Sequence, residues 1–134
     1  MALHQILIMG FEKTRKTQLC AMQVNGPKIS KYGVLALNNE TDLVTGLIEK
    51  PNFESAPSNL ASIGRYVLTP DIFDIIRNQP IGVAGEIQLA DSINIQAINN
   101  RVEAVLLNGM RFDCGGIEGY IAAIKYASSK LKFD

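Results

Sequence analysis

Apolar runs of two different periods alternate along this chain, and turn-forming residues separate them. Leu3, Ile6, Leu7 and Phe11 recur at helical spacing, with His4, Gln5, Glu12 and Lys13 on the opposite face. Thr17 to Val24 reads as a buried strand, closed by Asn25-Gly26-Pro27. Gly33 to Asn38 and Leu43 to Lys50 predict two strands around the hairpin-like turn Asn39-Glu40-Thr41-Asp42. A loop from Pro51 to Ser58 precedes a strand over Leu60 to Leu68. Thr69-Pro70-Asp71 predicts a helix start, with a capping hydroxyl, a proline at the first helical position and an acid in the first turn. That helix should run to about Arg77 and bury Ile72, Phe73 and Ile76. Beyond Pro80, Gly82 and Gly85, a second helix falls within Glu86 to Asn99. A strand over Val102 to Leu107, a short extended piece over Arg111 to Cys114 and a closing helix over Ile117 to Lys130 complete the chain. The closing helix carries the stripe Ile117, Ile121, Ile124 and Leu131. Strands alternating with helices define an α/β protein, and the hairpin makes its sheet mixed.

Composition excludes several classes. The 134 residues suit one domain or part of a larger one. Thirteen basic and thirteen acidic residues balance, so no broad nucleic-acid surface is expected. The apolar runs fall far short of a membrane span, and Met1 leads into a mixed segment rather than a secretory leader. Cys20 and Cys114 are too far apart in sequence for a zinc knuckle and too few for a disulfide framework. The cytoplasm is the expected compartment.

Two segments have the residue types for ligand chemistry. In Ile48-Glu49-Lys50-Pro51 a strand ends in an acid, a base and a proline. The proline should hold Lys50 extended. Strand ends border the ligand crevice of open α/β sheets. A carboxylate there can accept hydrogen bonds from sugar hydroxyls, and an ammonium can neutralise a phosphate. Successive strand residues point to opposite faces, so the pair serves one pocket only if the strand twists at its end. An exposed ion pair before a turn is the simpler reading. In Arg111-Phe112-Asp113-Cys114-Gly115-Gly116, the aspartate suits a hard cation such as magnesium and equally suits a turn or cap. Gly33 opens a strand, where it either admits a ligand close to the backbone or serves a turn. Cys114 has no neighbouring histidine and reads as a small packed residue; His4 reads as a solvated helical residue. GxxxxGK[ST] is absent, and Gly115-Gly116-x-x-Gly119 only weakly echoes GxGxxG. The residues taken alone support a soluble α/β domain with a possible sugar-phosphate site.

Together, several segments resemble the bacterial UTP–glucose-1-phosphate uridylyltransferases, also called UDP-glucose pyrophosphorylases. The resemblance rests on Ser30 to Val34, Gly46 to Pro51, Ala56 to Ala61 with Ile63 to Phe73, Gly85 to Asp91, and Arg111 to Gly115 with Gly119-Tyr120. It covers nearly the whole chain but only the later part of the family's pattern. The family's opening glycine-rich loop, which holds the nucleoside triphosphate, and its first magnesium-binding aspartate are not in this sequence. The resemblance implies a partial Rossmann-like three-layer α/β/α nucleotidyltransferase fold. Residues 1–134 would then be the C-terminal, sugar-binding part, without the N-terminal nucleotide-binding part. It further implies that Gly33 contacts the sugar through its backbone and that Glu49 accepts sugar hydroxyls. Lys50 would grip the sugar phosphate in catalysis, Asn59 would lie on the sugar side, and Asp113 would be one of two Mg2+ ligands. The ligand would be UDP-glucose or glucose 1-phosphate, and the chain alone would not turn over.

Two positions depart from the family pattern. Ile117 stands where a lysine is usual, which removes a phosphate contact. Ala90 stands where threonine is usual, which removes a potential helix cap. Other readings are a non-catalytic sugar-nucleotide binding module or assembly remnant, and a fragment of a thymidylyl- or adenylyltransferase. The long match from Asn59 to Phe73 favours the uridylyl group. A sheet lacking strands exposes unpaired backbone and apolar surface, so a homo-oligomer is expected.

Overall fold

A computed structural model describes residues 2–82 and 85–131. Its elements follow the predicted order. They are helix α1 (Leu3–Thr14), strand β1 (Thr17–Gln23), strands β2 (Gly33–Leu37) and β3 (Val44–Glu49), strand β4 (Leu60–Val67), helices α2 (Ile72–Asn78) and α3 (Leu89–Ile98), strand β5 (Val102–Leu106) and helix α4 (Ile117–Lys130). Short 3-10 turns at Pro27–Lys31 and Phe53–Ser55 punctuate the two proline-bearing loops. The segment around Arg111 to Cys114, expected to be extended, has no regular structure.

The five strands form one mixed sheet in the order β3-β2-β4-β1-β5. Only the β1–β5 pair is parallel; β1–β4, β2–β3 and β2–β4 are antiparallel. The alternation of side chains along β1 sorts the layers. Thr17, Leu19 and Ala21 face α2 and α3, where Leu35, Val44, Leu47, Ile72, Ile93, Ala97 and Val102 complete the main core. Gln18 faces the other way, towards α1, with its Nε2 donating to Thr14 Oγ1 at 3.2 Å. A smaller core of Ile29, Val34 and Ala61 lies on that second side. The result is the expected α/β/α arrangement. The outer strands blunt each other at a single bridge between Leu43 and Glu103, and Asn94 Oδ1 of α3 accepts the Leu47 N–H at 2.9 Å.

Several local expectations are corrected. The Thr69 hydroxyl does not cap α2, whose N-cap is Asp71. Instead it joins a buried network: Thr17 Oγ1 donates to Gln96 Oε1 at 2.8 Å, and Gln96 Nε2 donates to Thr69 Oγ1 at 2.8 Å and Asp71 Oδ2 at 3.2 Å. Arg101 closes this network with a 3.3 Å ion pair to Asp71. Burial pushes the Asp71 carboxyl up, but the Thr69 and Gln96 hydrogen bonds and the Arg101 charge outweigh it and hold it below the ordinary value. Phe73, expected in the core, is 63% exposed, because α2 turns Ile72 and Ile76 inward instead. The cap position of α3 is Gln88, so Ala90 removes no cap. The stripe of α4 is not buried: Ile117, Ile121, Ile124 and Leu131 are all exposed, and only Gly119 and Ala123 of this helix are partly covered. Among the described residues no helix is long and apolar enough to cross a membrane.

Candidate functional site

The site starts from a fork in the sheet. Strands β2 and β4 pair at one rung, Val34 with Ala61. Continued one step, that antiparallel register sets Gly33 across from Ser62, where the strands part. The opening is a cleft of about 280 Å³, at the small end of ligand cavities. Lys31, Tyr32 and Gly33 form one wall together with Leu47 and Glu49 of β3. Ser62, Ile63, Gly64 and Tyr66 of β4 form the other, and Ala90 and Arg111 complete the lining.

Glu49 pairs with Gly33 in the β2–β3 ladder, so its side chain rises beside a residue that has none. A Cβ on Gly33 would stand 3.0 Å from Glu49 Oε2 and 3.2 Å from Leu47 Cδ1. The glycine thus leaves the Glu49 carboxylate room to lie close to its backbone.

Lys50 is not extended. Its φ is 46°, in the left-handed region that non-glycine residues seldom occupy. The Lys50 N–H still donates to the Tyr32 carbonyl at 3.0 Å, the last bond of the β2–β3 ladder, and the chain turns away there despite the preference set by Pro51. The reversal breaks the alternation of side chains that would have put Glu49 and Lys50 on opposite faces. Lys50 Nζ lies 3.9 Å from Glu49 Oε1, and its side chain is largely in solvent beside the cleft. Strain of this kind gathers at functional sites and costs of order 1–3 kcal/mol.

Asp113 lies on an adjoining hollow of about 400 Å³, which shares Ile63 and Arg111 with the cleft. Its Oδ1 accepts the Gly115 N–H at 3.1 Å. Gly119 makes this loop possible, because a Cβ there would overlap the Asp113 carbonyl. Between the two hollows the Arg111 guanidinium stands 5.6 Å over the Tyr32 ring. Asp113 is a hard oxygen donor suited to magnesium. Among the described residues, however, no three His, Cys, Asp or Glu side chains cluster as a metal site. Asn59 does not line the cleft: its Nδ2 donates to Asn25 Oδ1 at 3.1 Å, and its carbonyl accepts the Val24 N–H. Sequence reasoning gave no role to Ser62, Tyr66 or Arg111, which reach the site only through strand register and loop path. Cys20 is buried, and burial pushes its thiol up; Cys114 is exposed. A hollow of about 460 Å³ near α1 centres on Glu103, which is taken up by Thr14, Gln18 and Lys16.

The sequence pattern of the nucleotidyl transferases matches residues 1–130. The chain belongs to the nucleotidyl transferase family. Within it, a UTP–glucose-1-phosphate uridylyltransferase of Pseudomonas aeruginosa is 47% identical over 119 residues, spanning 87% of this chain and 43% of that protein. The enzyme of the same name from Haemophilus ducreyi is 39% identical over 123 residues, with 87% and 42% covered. A solved UDP-glucose pyrophosphorylase complexed with UDP-glucose superposes with a TM-score of 0.85 at 38% identity, covering 95% of this chain and 49% of the other. The chain thus spans less than half the length of these relatives. A putative glucose-1-phosphate thymidylyltransferase from Bacillus anthracis, at 17% identity and a TM-score of 0.78, shares the fold alone.

Proposed function

We propose that this chain forms the sugar-phosphate side of a UTP–glucose-1-phosphate uridylyltransferase. The observation that carries the proposal is the Glu49 carboxylate seated over Gly33 in the cleft, with Lys50 turned back beside it. The Glu49 carboxylate would take hydrogen bonds from sugar hydroxyls, and Gly33 would let the ring approach the backbone. Lys50 would neutralise the phosphate. In the reaction, a phosphate oxygen of glucose 1-phosphate bonds to the α-phosphorus of UTP while the bond from that phosphorus to the β-phosphate bridge breaks. Pyrophosphate leaves, and UDP-glucose remains. Positioning and charge neutralisation supply most of the catalysis in such transfers.

Residues 1–134 act in this reading as the C-terminal, sugar-binding part, and the remaining length of the relatives supplies the nucleotide cradle. Asp113 would hold Mg2+ jointly with a carboxylate from that remainder; the ion would neutralise phosphate charge when bound. Asn59 serves as a clamp between loops rather than a ligand contact. A cytoplasmic location fits substrates of this kind, and the uncovered side of α4 supports self-association.

Calorimetry tests the proposal. Glucose 1-phosphate should bind the wild-type chain, and Lys50→Ala should weaken it about tenfold or more, as for loss of a charge-assisted contact. UTP alone should bind poorly, and the isolated chain should show no turnover. Glucose 1-phosphate binding indifferent to Lys50 would remove the phosphate site.

A further inference from the structure

The arginines of this chain differ in exposure. Arg15, Arg65, Arg77 and Arg101 are exposed, whereas Arg111 is partly buried. The arginine withdrawn from solvent is also one that no carboxylate meets. Ion pairs among the described residues engage Lys16, Lys50, Arg77 and Arg101, and none engages Arg111. Arginine side-chain hydrogen bonds among those residues belong to Arg77 and Arg101. What Arg111 has is the Tyr32 ring, whose centroid lies 5.6 Å from its guanidinium. A ring face steadies the charge but leaves the N–H donors of the fork free. Shielding a cation from water without an opposite charge is unfavourable, and an arriving anion relieves that cost.

The position of Arg111 says which anion. It lines both the cleft that holds Glu49 and the hollow that holds Asp113. Lys31 joins it in the cleft, Arg65 in the hollow, and Lys50 stands at the rim. These cations outnumber Glu49 and Asp113, so the joined space is net positive. A phosphate monoester carries about 1.5–2 negative charges at neutral pH. The Lys50 ammonium is largely in solvent and already has Glu49 at 3.9 Å, so its charge is screened and partly answered. The charge of Arg111 is better shielded from water and is unanswered.

We propose that Arg111 is a second phosphate anchor, gripping the ester phosphate of a hexose phosphate from the Tyr32 side while Lys50 meets it from the rim. The inference rests on the sugar-phosphate reading of the cleft. A guanidinium can give two parallel N–H bonds to one phosphate, which an ammonium cannot. Its contact with the Tyr32 ring restrains it beforehand, so little side-chain freedom is lost on binding. A neutral hexose leaves the cation as unanswered as it is without ligand, so Arg111 favours the phosphorylated sugar.

The test compares glucose 1-phosphate with free glucose on the full chain, by calorimetry for the first and NMR titration for the second. Arg111→Gln should weaken glucose 1-phosphate binding roughly ten- to a hundredfold, as for loss of a charge-assisted pair, and leave the affinity for glucose unchanged. Arg111→Lys, which keeps the charge without the fork, should fall between Arg111→Gln and the wild type; it supplies the same comparison if the glutamine variant folds poorly. Equal losses for the two sugars would overturn the proposal, since Arg111 would then only shape the cleft. Unchanged glucose 1-phosphate affinity in Arg111→Gln, while Lys50→Ala still weakens it, would overturn the role of Arg111 and leave the sugar-phosphate site standing. Failure of the wild-type chain to bind glucose 1-phosphate would overturn both.

Discussion

Gly33→Ala is the sharpest perturbation of the site, because it adds one methyl group where the structure has little room for it. The new Cβ would lie 3.0 Å from Glu49 Oε2 and 3.2 Å from Leu47 Cδ1. The two neighbours yield unequally. Glu49 is about half exposed and its carboxylate is the end of a flexible chain, so it moves aside at little cost. Leu47 is buried and yields only by a few tenths of an ångström. Gly33 does not need a positive φ, so alanine also stiffens the unfolded chain, which stabilises by about 0.4–1 kcal/mol. The strain and this gain offset each other, and folding stability should shift by no more than about 1 kcal/mol. Binding should respond far more. A displaced carboxylate loses a charge-assisted hydrogen bond worth about 1.5–3 kcal/mol, a loss of roughly ten- to a hundredfold in affinity for glucose 1-phosphate. Calorimetry and thermal denaturation on the same preparation separate the two effects. Wild-type affinity in a variant of wild-type stability would refute the reasoning, since the carboxylate over Gly33 could not then be what holds the sugar.

Other outcomes follow from features outside the cleft. Gln96→Leu should cost about 1–2 kcal/mol by denaturant titration, because it takes one partner from each of the buried Thr17 and Thr69 hydroxyls, which keep each other. Asp71→Asn should destabilise at neutral pH. The folded-state pKa of Asp71 lies below 3.8, so its contribution is present above that value and fades as the pH falls through the folded pKa. Melting curves of the two proteins should converge in strong acid. A thiol reagent should label Cys114 quickly and Cys20 only on unfolding, matching their exposure. The wild-type chain should self-associate in sedimentation experiments, and Ile121→Glu with Ile124→Glu should abolish this; a monomer at high concentration would remove α4 as the contact.

Much of the fold was legible because periodicity reports which side of an element is buried. The hairpin over residues 33 to 49 and the closing helix at Ile117–Lys130 follow from local pattern alone. The remainder depended on partners distant in sequence. Thr69 sits where a helix cap belongs, but Gln96 offers its hydroxyl a better bond. Pro51 argues for an extended Lys50, but the chain leaves the β2–β3 ladder there and Lys50 is left-handed. For the site, the residue types of Gly33, Glu49, Lys50 and Asp113 suggested ligand chemistry, and the structure puts Gly33 and Glu49 in one cleft with Lys50 alongside. Asn59, grouped with them by motif, lies apart. Ser62 was invisible as a lining residue, since it reaches the cleft only through the register between β2 and β4 and the point at which their pairing stops.

Helix α4 extends this dependence on distant partners to folding itself. Its 14 residues have little packing to hold them, beyond the Phe112–Tyr126 ring contact. A helix of that length left to its own propensity is marginal in water. Its amides should therefore be the quickest of the helical ones to exchange with solvent, and anything that covers the isoleucines should slow them. The exchange rate along this segment would then serve as a gauge of assembly, registering contact with a neighbour before any chemistry occurs.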